Sequence, residues 1–407
     1  MTTVTQQEVD AGRVERKAGR GFWLVAVISF CYLFSVSAPS PLYGVYAAEW
    51  HFTQSTMTIV FGVYAVTLIV AMVLAGSLSD AVGRKPVIAA ALVVQCAALV
   101  LFLLASSVGW LFAARLTQGC ATGLVTAAVA AALVDLQPAG RPGRAALVNS
   151  AVPAAGLAFG ALTSGLLIQY GPAPTKLIFW LLLGAFVVMI LVLTLVPETV
   201  SERRRPTLGS RIGVERPVRR AFIATLPVVV AVWSLNGLYL SLGPSLALAL
   251  AHSHSGLLGG AVIFLLCGCA CVTGIALHNR APRQTMLLGC ALLGTGVLIT
   301  VLAVVVTLPA LLYLGTAVSG CGFGAAFLGS FRTLAGLAVP EHRSALIGAI
   351  YVVAYLAFSI PAVIAGVLTT RIGLHNTAIA YGIVVAALAW IALPAAARHC
   401  HRSETEQ

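Results

Sequence analysis

The sequence predicts an all-α polytopic membrane protein of twelve transmembrane helices in two pseudo-symmetric six-helix bundles. Three observations carry that prediction. The 407 residues are 60% hydrophobic and 9% charged, whereas soluble domains hold roughly 25% charged residues. Twelve apolar runs follow one another, each near the roughly 17–25 residues a helix needs to cross ~30 Å of hydrocarbon. Short matches also recur between the halves at an offset of about 200 residues, too long for a solenoid repeat. Gly119-Cys120 and Gly123 match Gly320-Cys321 and Gly324, Arg144-Ala-Ala-Leu147 matches Arg343-Ser-Ala-Leu346, and Leu157-Ala-Phe159 matches Leu356-Ala-Phe358.

Taken in order, residues 1–21 form a polar tail with Arg13, Arg16, Lys17 and Arg20. The tail is too polar and long for a signal peptide, and no small-residue cleavage site follows, so the first apolar run is expected to stay as a helix. Runs at 22–44, 54–78, 86–106, 109–134, 145–168 and 175–197 make a first bundle, 22–197. A basic linker, 198–220, separates it from runs at 221–247, 256–278, 285–306, 309–334, 344–370 and 374–397, the second bundle, 221–397. Residues 398–407 are a second tail. Helices are required because lipid cannot satisfy open backbone groups.

Charge sets the orientation. Even-numbered connections hold Arg84 and Lys85, Arg141 and Arg144, seven arginines from Arg203 to Arg220, Arg280 and Arg283, and Arg343; odd ones hold only Lys176 and Arg371. The positive-inside rule puts both termini in the cytoplasm of a cell (inner or plasma) membrane. A net charge of +12 gathered in short loops argues against nucleic acid as a partner; the basic linker reads as a tether and topology signal, with binding of anionic membrane lipids as the alternative. Eight of nine cysteines lie inside apolar runs, so no disulfide framework is expected. Of Cys267, Cys269 and Cys271 only the outer two share a helix face, and His399-Cys400-His401 lies in the tail, so no metal is expected. No nucleotide-binding loop, nucleophile triad or metalloprotease helix is present. The chain is read as no enzyme, with no cofactor.

Between the second and third runs lies Gly76-Ser-Leu78-Ser-Asp80-Ala-Val-Gly83-Arg84-Lys85. Gly76 allows a neighbouring helix to approach and Gly83 permits a tight reversal. This pattern resembles the loop between spans two and three of the major facilitator superfamily. The resemblance implies a latch, in which Asp80 meets the start of span eleven near Arg343 and Ser344. A carboxylate at a helix N-terminus gains roughly 0.3–1 kcal/mol when exposed. Asp135, ending span four, is the natural ion-pair partner for Arg84 or Arg144. Pro197-Glu198-Thr199 reads as a helix end, and Gly274 to Arg283 as a degenerate second copy of the loop motif with His278 in place of the acid.

In span four, Arg115 precedes Gln118 and Gly119 in a stretch similar to the family's motif there. An arginine in hydrocarbon costs roughly 2.5–3.5 kcal/mol, so Arg115 should face protein or water. It is either a cavity cation serving substrate or coupling, or an interhelical hydrogen-bonding group. Gly156, Gly160 and Gly165 resemble the fifth-span motif of exporters that exchange drugs for protons, with Ala161 and Ser164 departing from it. Spaced glycines also serve plain helix packing. A cavity would draw on Tyr32 of span one, Trp233, Asn236 and Tyr239 of span seven, and Tyr351 and Tyr355 of span eleven, with 236 and 239 on a shared face.

No acid falls in the middle of a span, so the residues supply no obvious proton carrier; Glu49 and Asp135 come nearest. The resulting expectation is a monomeric secondary transporter working by alternating access. It would export a lipophilic or amphipathic small molecule, with proton exchange implied by the resemblance. The alternative is uptake or facilitated transport of a small organic anion through Arg115.

Overall fold

The computed structural model describes residues 6–75, 78–138, 144–198, 213–253, 255–337 and 343–404, without the side chains of 6–18, 75, 80, 343, 344 and 394–404. Among the described residues all regular structure is helical. Ten helices have the length and apolarity of single membrane spans: Gly19–Trp50, Gln54–Leu74, Arg84–Leu103, Val108–Asp135, Arg144–Tyr170, Leu177–Leu195, Arg216–Ser241, Gly256–Ala276, Pro282–Val305 and Pro309–Leu337. An eleventh apolar stretch, Ala345–Leu393, holds 49 residues. At 1.5 Å per residue that is about 74 Å, more than twice the hydrocarbon thickness. It contains one non-helical residue, Gly373, at φ 81° and ψ 163°. It is therefore two spans joined through a single residue, and the protein crosses the membrane twelve times. An even count puts both chain ends on one side, with Arg84, Lys85, Arg144 and Arg283. This side is called the basic face below, and the other the opposite face.

The first span runs past the expected residue 44 to Trp50 and is broken at Ala38. Pro39 and Pro41 follow the break; lacking N–H groups, they cannot bond the carbonyls four residues back. The helix ends where His51 turns left-handed, at φ 53°. Span seven repeats the device, with a break at Leu242, a restart at Gly243-Pro244 and a left-handed end at His252, φ 45°. In the loop after span two, Leu78–Val82 forms a short helix. Gly83 reverses the chain at φ 117°, a region open to glycine. Gly76, the Asp80 side chain and the side chains of Arg343 and Ser344 lie outside the described residues, and with them the expected latch contact.

A large core fills the first six spans, from Phe22 and Tyr32 through Phe102 to Phe186, and it takes in Leu240, Ile263, Cys267, Tyr355 and Phe358 from the last six. Among the described residues, several contacts join the halves toward the opposite face. Ser55 Oγ donates to the Gly366 carbonyl at 2.9 Å, and the Phe61 and Phe358 rings lie 4.8 Å apart. Phe159 meets Phe264 at 5.5 Å between spans five and eight. At the basic face, Val218, Leu334, Leu346 and Ile350 cluster only with residues of their own half. The halves thus close on each other at the face away from the chain ends.

Candidate functional site

On the basic-face side of that closure lies an aromatic junction built from spans seven, ten and eleven. Trp233 stands 5.2 Å from Tyr355 and 5.6 Å from Phe327. Tyr351 stacks on Tyr355 at 6.2 Å, and Phe331 meets Tyr351 at 6.4 Å. Tyr351, Tyr355 and Phe358 follow one another along one side of span eleven, and Phe358 touches Phe61 of the first half, so these rings look toward the junction. Trp233, Phe327, Phe331 and Tyr351 are half-buried. Two atoms at this wall are sealed from solvent and have no hydrogen-bond partner among the described residues: Trp233 Nε1 and Asn236 Oδ1. Leu240, one turn beyond Asn236, packs in the core that the first six spans share with Ile263, Cys267, Tyr355 and Phe358. Buried polar groups are nearly always paired, and an orphaned donor and acceptor three residues apart need an explanation.

Tyr239 does not join them. Its hydroxyl lies 3.0 Å from Thr300 Oγ1 and accepts from Thr316 Oγ1 at 3.1 Å. It is thus tied to spans nine and ten, and the expectation that 236 and 239 share a working face is corrected. Three residues on a helix separate side chains by about 60°, enough here to split them between two neighbours.

Tyr32, Arg115 and Gln118 are buried inside the first half, apart from these rings. Arg115 is fully buried. Its Nε donates to Tyr43 Oη, and its Nη1 donates to Gln118 Oε1 at 2.6 Å and to the Val36 carbonyl at 3.1 Å. Gln118 Nε2 donates to the Ser35 carbonyl at 3.1 Å. Pro39 has no N–H to offer Ser35, so span four supplies the donors that the break in span one removes. The guanidinium lies 5.4–5.8 Å from the ring centres of Tyr43, Phe61, Tyr64 and Phe102, within cation–π range. Its Nη2 has no hydrogen-bond partner among the described residues. Tyr32 packs edge-on against Phe186 at 5.2 Å, away from Trp233. Arg115 is therefore sealed, in this state, as the clamp on a broken helix.

At the basic face, Arg84 Nε pairs with Asp135 Oδ2 at 3.4 Å, and Arg84 Nη1 donates to Ser79 Oγ at 2.7 Å. Arg144 instead lies over the Trp23 ring at 5.0 Å. The unexpected member is Glu198. Its two oxygens accept from the Arg84 and Lys85 backbone N–H groups at 3.0 and 3.1 Å, capping the third span. Lys85 Nζ returns to the Thr194 and Val196 carbonyls at 2.8 and 3.0 Å. Cation and carboxylate thus cap each other's helices across spans three and six. Reading Glu198 as only a helix end is corrected; its partners lie 113 and 114 residues away, beyond any local pattern. Glu198→Ala is expected to cost about 1 kcal/mol, read as a lower melting temperature in micelles, with Glu198→Gln recovering part by keeping one acceptor. In the other half the roles reverse: Arg332 Nη1 of span ten donates to the His278 and Arg280 carbonyls at 2.7 and 2.9 Å.

The glycines of span five divide. A Cβ on Gly156 would meet the Phe30 carbonyl at 2.5 Å, and one on Gly160 would strike that of Phe34, so both seat span one. A Cβ on Gly165 would meet the Gly256 carbonyl at 2.6 Å, across the seam to span eight.

Comparison with known proteins agrees with this architecture. The chain resembles the solved nucleoside transporter NupG at 11% identity and TM-score 0.69, covering 92% of this chain and 98% of that one. A bacterial homologue of the human lysosomal transporter Spinster, inward-facing and occupied, matches at 12% identity and TM-score 0.69, over 91% and 96%. A POT family transporter in complex with 5-aminolevulinic acid matches at 13% identity and TM-score 0.74, over 92% and 96%. No curated protein matches the chain in sequence. At such identities the likeness establishes the fold. The sequence model described as the Major Facilitator Superfamily matches residues 25–360. The chain belongs to the Major Facilitator Superfamily, as a multi-pass membrane transporter and not an enzyme.

Proposed function

We propose that this transporter exports a small lipophilic or amphipathic compound across the cell membrane, in the manner of the superfamily's drug/proton antiporter branch. The observation that carries this reading is the aromatic cluster of half-buried Trp233 and Tyr351 with Tyr355, on spans seven and eleven, in stretches 228–242 and 349–362 that hold no charged residue. Apolar walls with few polar groups suit such a compound better than a sugar, whose hydroxyls need many partners. The sealing of Arg115 inside the first bundle weighs against the organic-anion alternative. In this reading the units 22–197 and 221–397 rock about the junction, the basic face is cytoplasmic, and the protein acts as a monomer in contact with lipid. Arginines and lysines gathered at that face support the orientation. Exchange for protons rests on the likeness of the span-five glycine motif to that branch.

The test uses inside-out vesicles from cells making the protein, given a fluorescent lipophilic dye and an acid-inside gradient. Accumulation above control vesicles, abolished by a protonophore, is the expected result. Equal dye in both vesicle types would exclude export, and accumulation indifferent to the protonophore would remove the proton.

A further inference from the structure

We propose that the opposite face opens by a bend in one half alone. Gly243–Ala251, the end segment of span seven, turns at Leu242 into a cavity of its own half, while its counterpart Pro39–Trp50 in span one stays fixed. This rests on alternating access, and on neither the direction nor the cargo of transport.

Spans one and seven each carry a break and a left-handed end, and their end segments touch across the closure. What holds each break differs. In the first half Arg115 bridges it: Nη1 donates to the Val36 carbonyl before the break, and Nε donates to Tyr43 Oη after it. Gln118 adds a bond to the Ser35 carbonyl. In the second half the position equivalent to Arg115 is Thr316, at the offset of 201 that relates Gly119 to Gly320. Its short side chain stops at Tyr239 Oη and the Leu312 carbonyl, and Tyr239 lies before the break. Among the described residues, no side-chain hydrogen bond reaches Gly243–Ala251. Pro244 also withholds an N–H from the Leu240 carbonyl one turn back.

Space lies where the clamp is missing. A cavity of about 20 Å³ runs beside the break, lined by Tyr239 and Leu242 on one side of it, Gly243 and Leu246 on the other, and Leu312 of span ten. Its lining is largely apolar and comes wholly from the second half. It has room for about one water but lacks the polar partners that would hold one, so it stays dry. A Cβ on Gly243 would come no closer than 3.6 Å to Tyr239 and Val262. Turning into this space carries the segment away from the first half, which is opening. The segment has 9 residues and is about 14 Å long, so a bend of about 20° swings its tip by about 5 Å.

Rigid rocking leaves distances within each half unchanged, so paired spin labels inside one half isolate the bend. The full chain, cysteine-free and in lipid nanodiscs, is labelled at His252→Cys with Val305→Cys, or at His51→Cys with Leu104→Cys, all exposed positions. Double electron–electron resonance should give two distances about 5 Å apart for the first pair and one for the second. Ala378→Val enlarges a side chain that lines the cavity from span twelve, and should cut the shorter-distance population about tenfold. Two distances in both pairs, one in both, or two only in the first half overturns the proposal. So does an assembled Ala378→Val protein with unchanged populations. If Ala378→Val fails to assemble, the two label pairs with Ala378 in place decide. Like distances in both pairs beside intact vesicle export would sink this inference and spare the export reading. The expected distances beside absent export would do the reverse.

Discussion

Gly165→Leu should weaken closure of the opposite face about tenfold or more. Spans five and eight meet there main chain to main chain. The Cβ of any residue at 165 would lie 2.6 Å from the Gly256 carbonyl oxygen and 3.3 Å from the Gly260 Cα. From the other side, a Cβ at 260 would lie 2.5 Å from the Ala161 carbonyl. These obstacles are backbone atoms, so no rotamer change relieves them, and overpacking of this kind costs about 1–3 kcal/mol. A penalty of 1.4 kcal/mol on the closed state alone shifts its population tenfold. The second seam offers a reporter: Thr58 is fully buried and packs on Gly366 between spans two and eleven. In a cysteine-free background, Thr58→Cys should react with a water-soluble maleimide about tenfold faster or more once Gly165→Leu is added, with Gly165→Ala between. Unchanged labelling with normal transport would show that closure does not depend on this approach.

The second large effect is expected at Arg115, where stability and affinity should part. Arg115→Met leaves Tyr43 Oη, Gln118 Oε1 and the Val36 carbonyl short of their donor. Stranded buried acceptors cost about 1–3 kcal/mol each, and removing a buried arginine returns roughly 2.5–3.5 kcal/mol. The net loss is about 3 kcal/mol, with Arg115→Lys in between because an ammonium supplies some of the donors without the planar fork. A lower melting temperature with unaltered substrate affinity in the folded fraction is the expected pair of results. Altered affinity at an unchanged melting temperature would instead make Arg115 a cavity cation.

Much of the fold was legible because it follows from solvent. Hydrocarbon imposes run lengths, so twelve crossings could be counted, and loop arginines and lysines marked one face. Gly83 was legible for a local reason, since a reversal in so short a loop calls for a residue free to take positive φ. The site was legible only in part. Apolarity alone requires Arg115 to face protein or water, but it does not say whether that means the bundle's interior or the junction. Helical spacing placed Asn236 and Tyr239 on nearby faces, and Thr300 and Thr316, far off in the chain, decided otherwise for Tyr239. Phe327, Phe331 and Phe358 passed as ordinary span residues, because nothing in a phenylalanine's neighbours along the chain distinguishes lipid from cavity. Glu198 was missed because its capping partners lie across the bundle.

The single residue between spans eleven and twelve has a mechanical consequence. With Gly373 the only departure from helix there, no slack separates the two. Span eleven carries Tyr355 at the junction and Gly366 at the seam, and its far end can shift only as far as one residue lets it part from span twelve. Span twelve in turn bears on span nine, where the Trp390 indole fills the space beside Gly294. The last two spans are therefore tethered with no loop between them, and Gly373, with open space around its Cα, is the one point at which they can turn on each other.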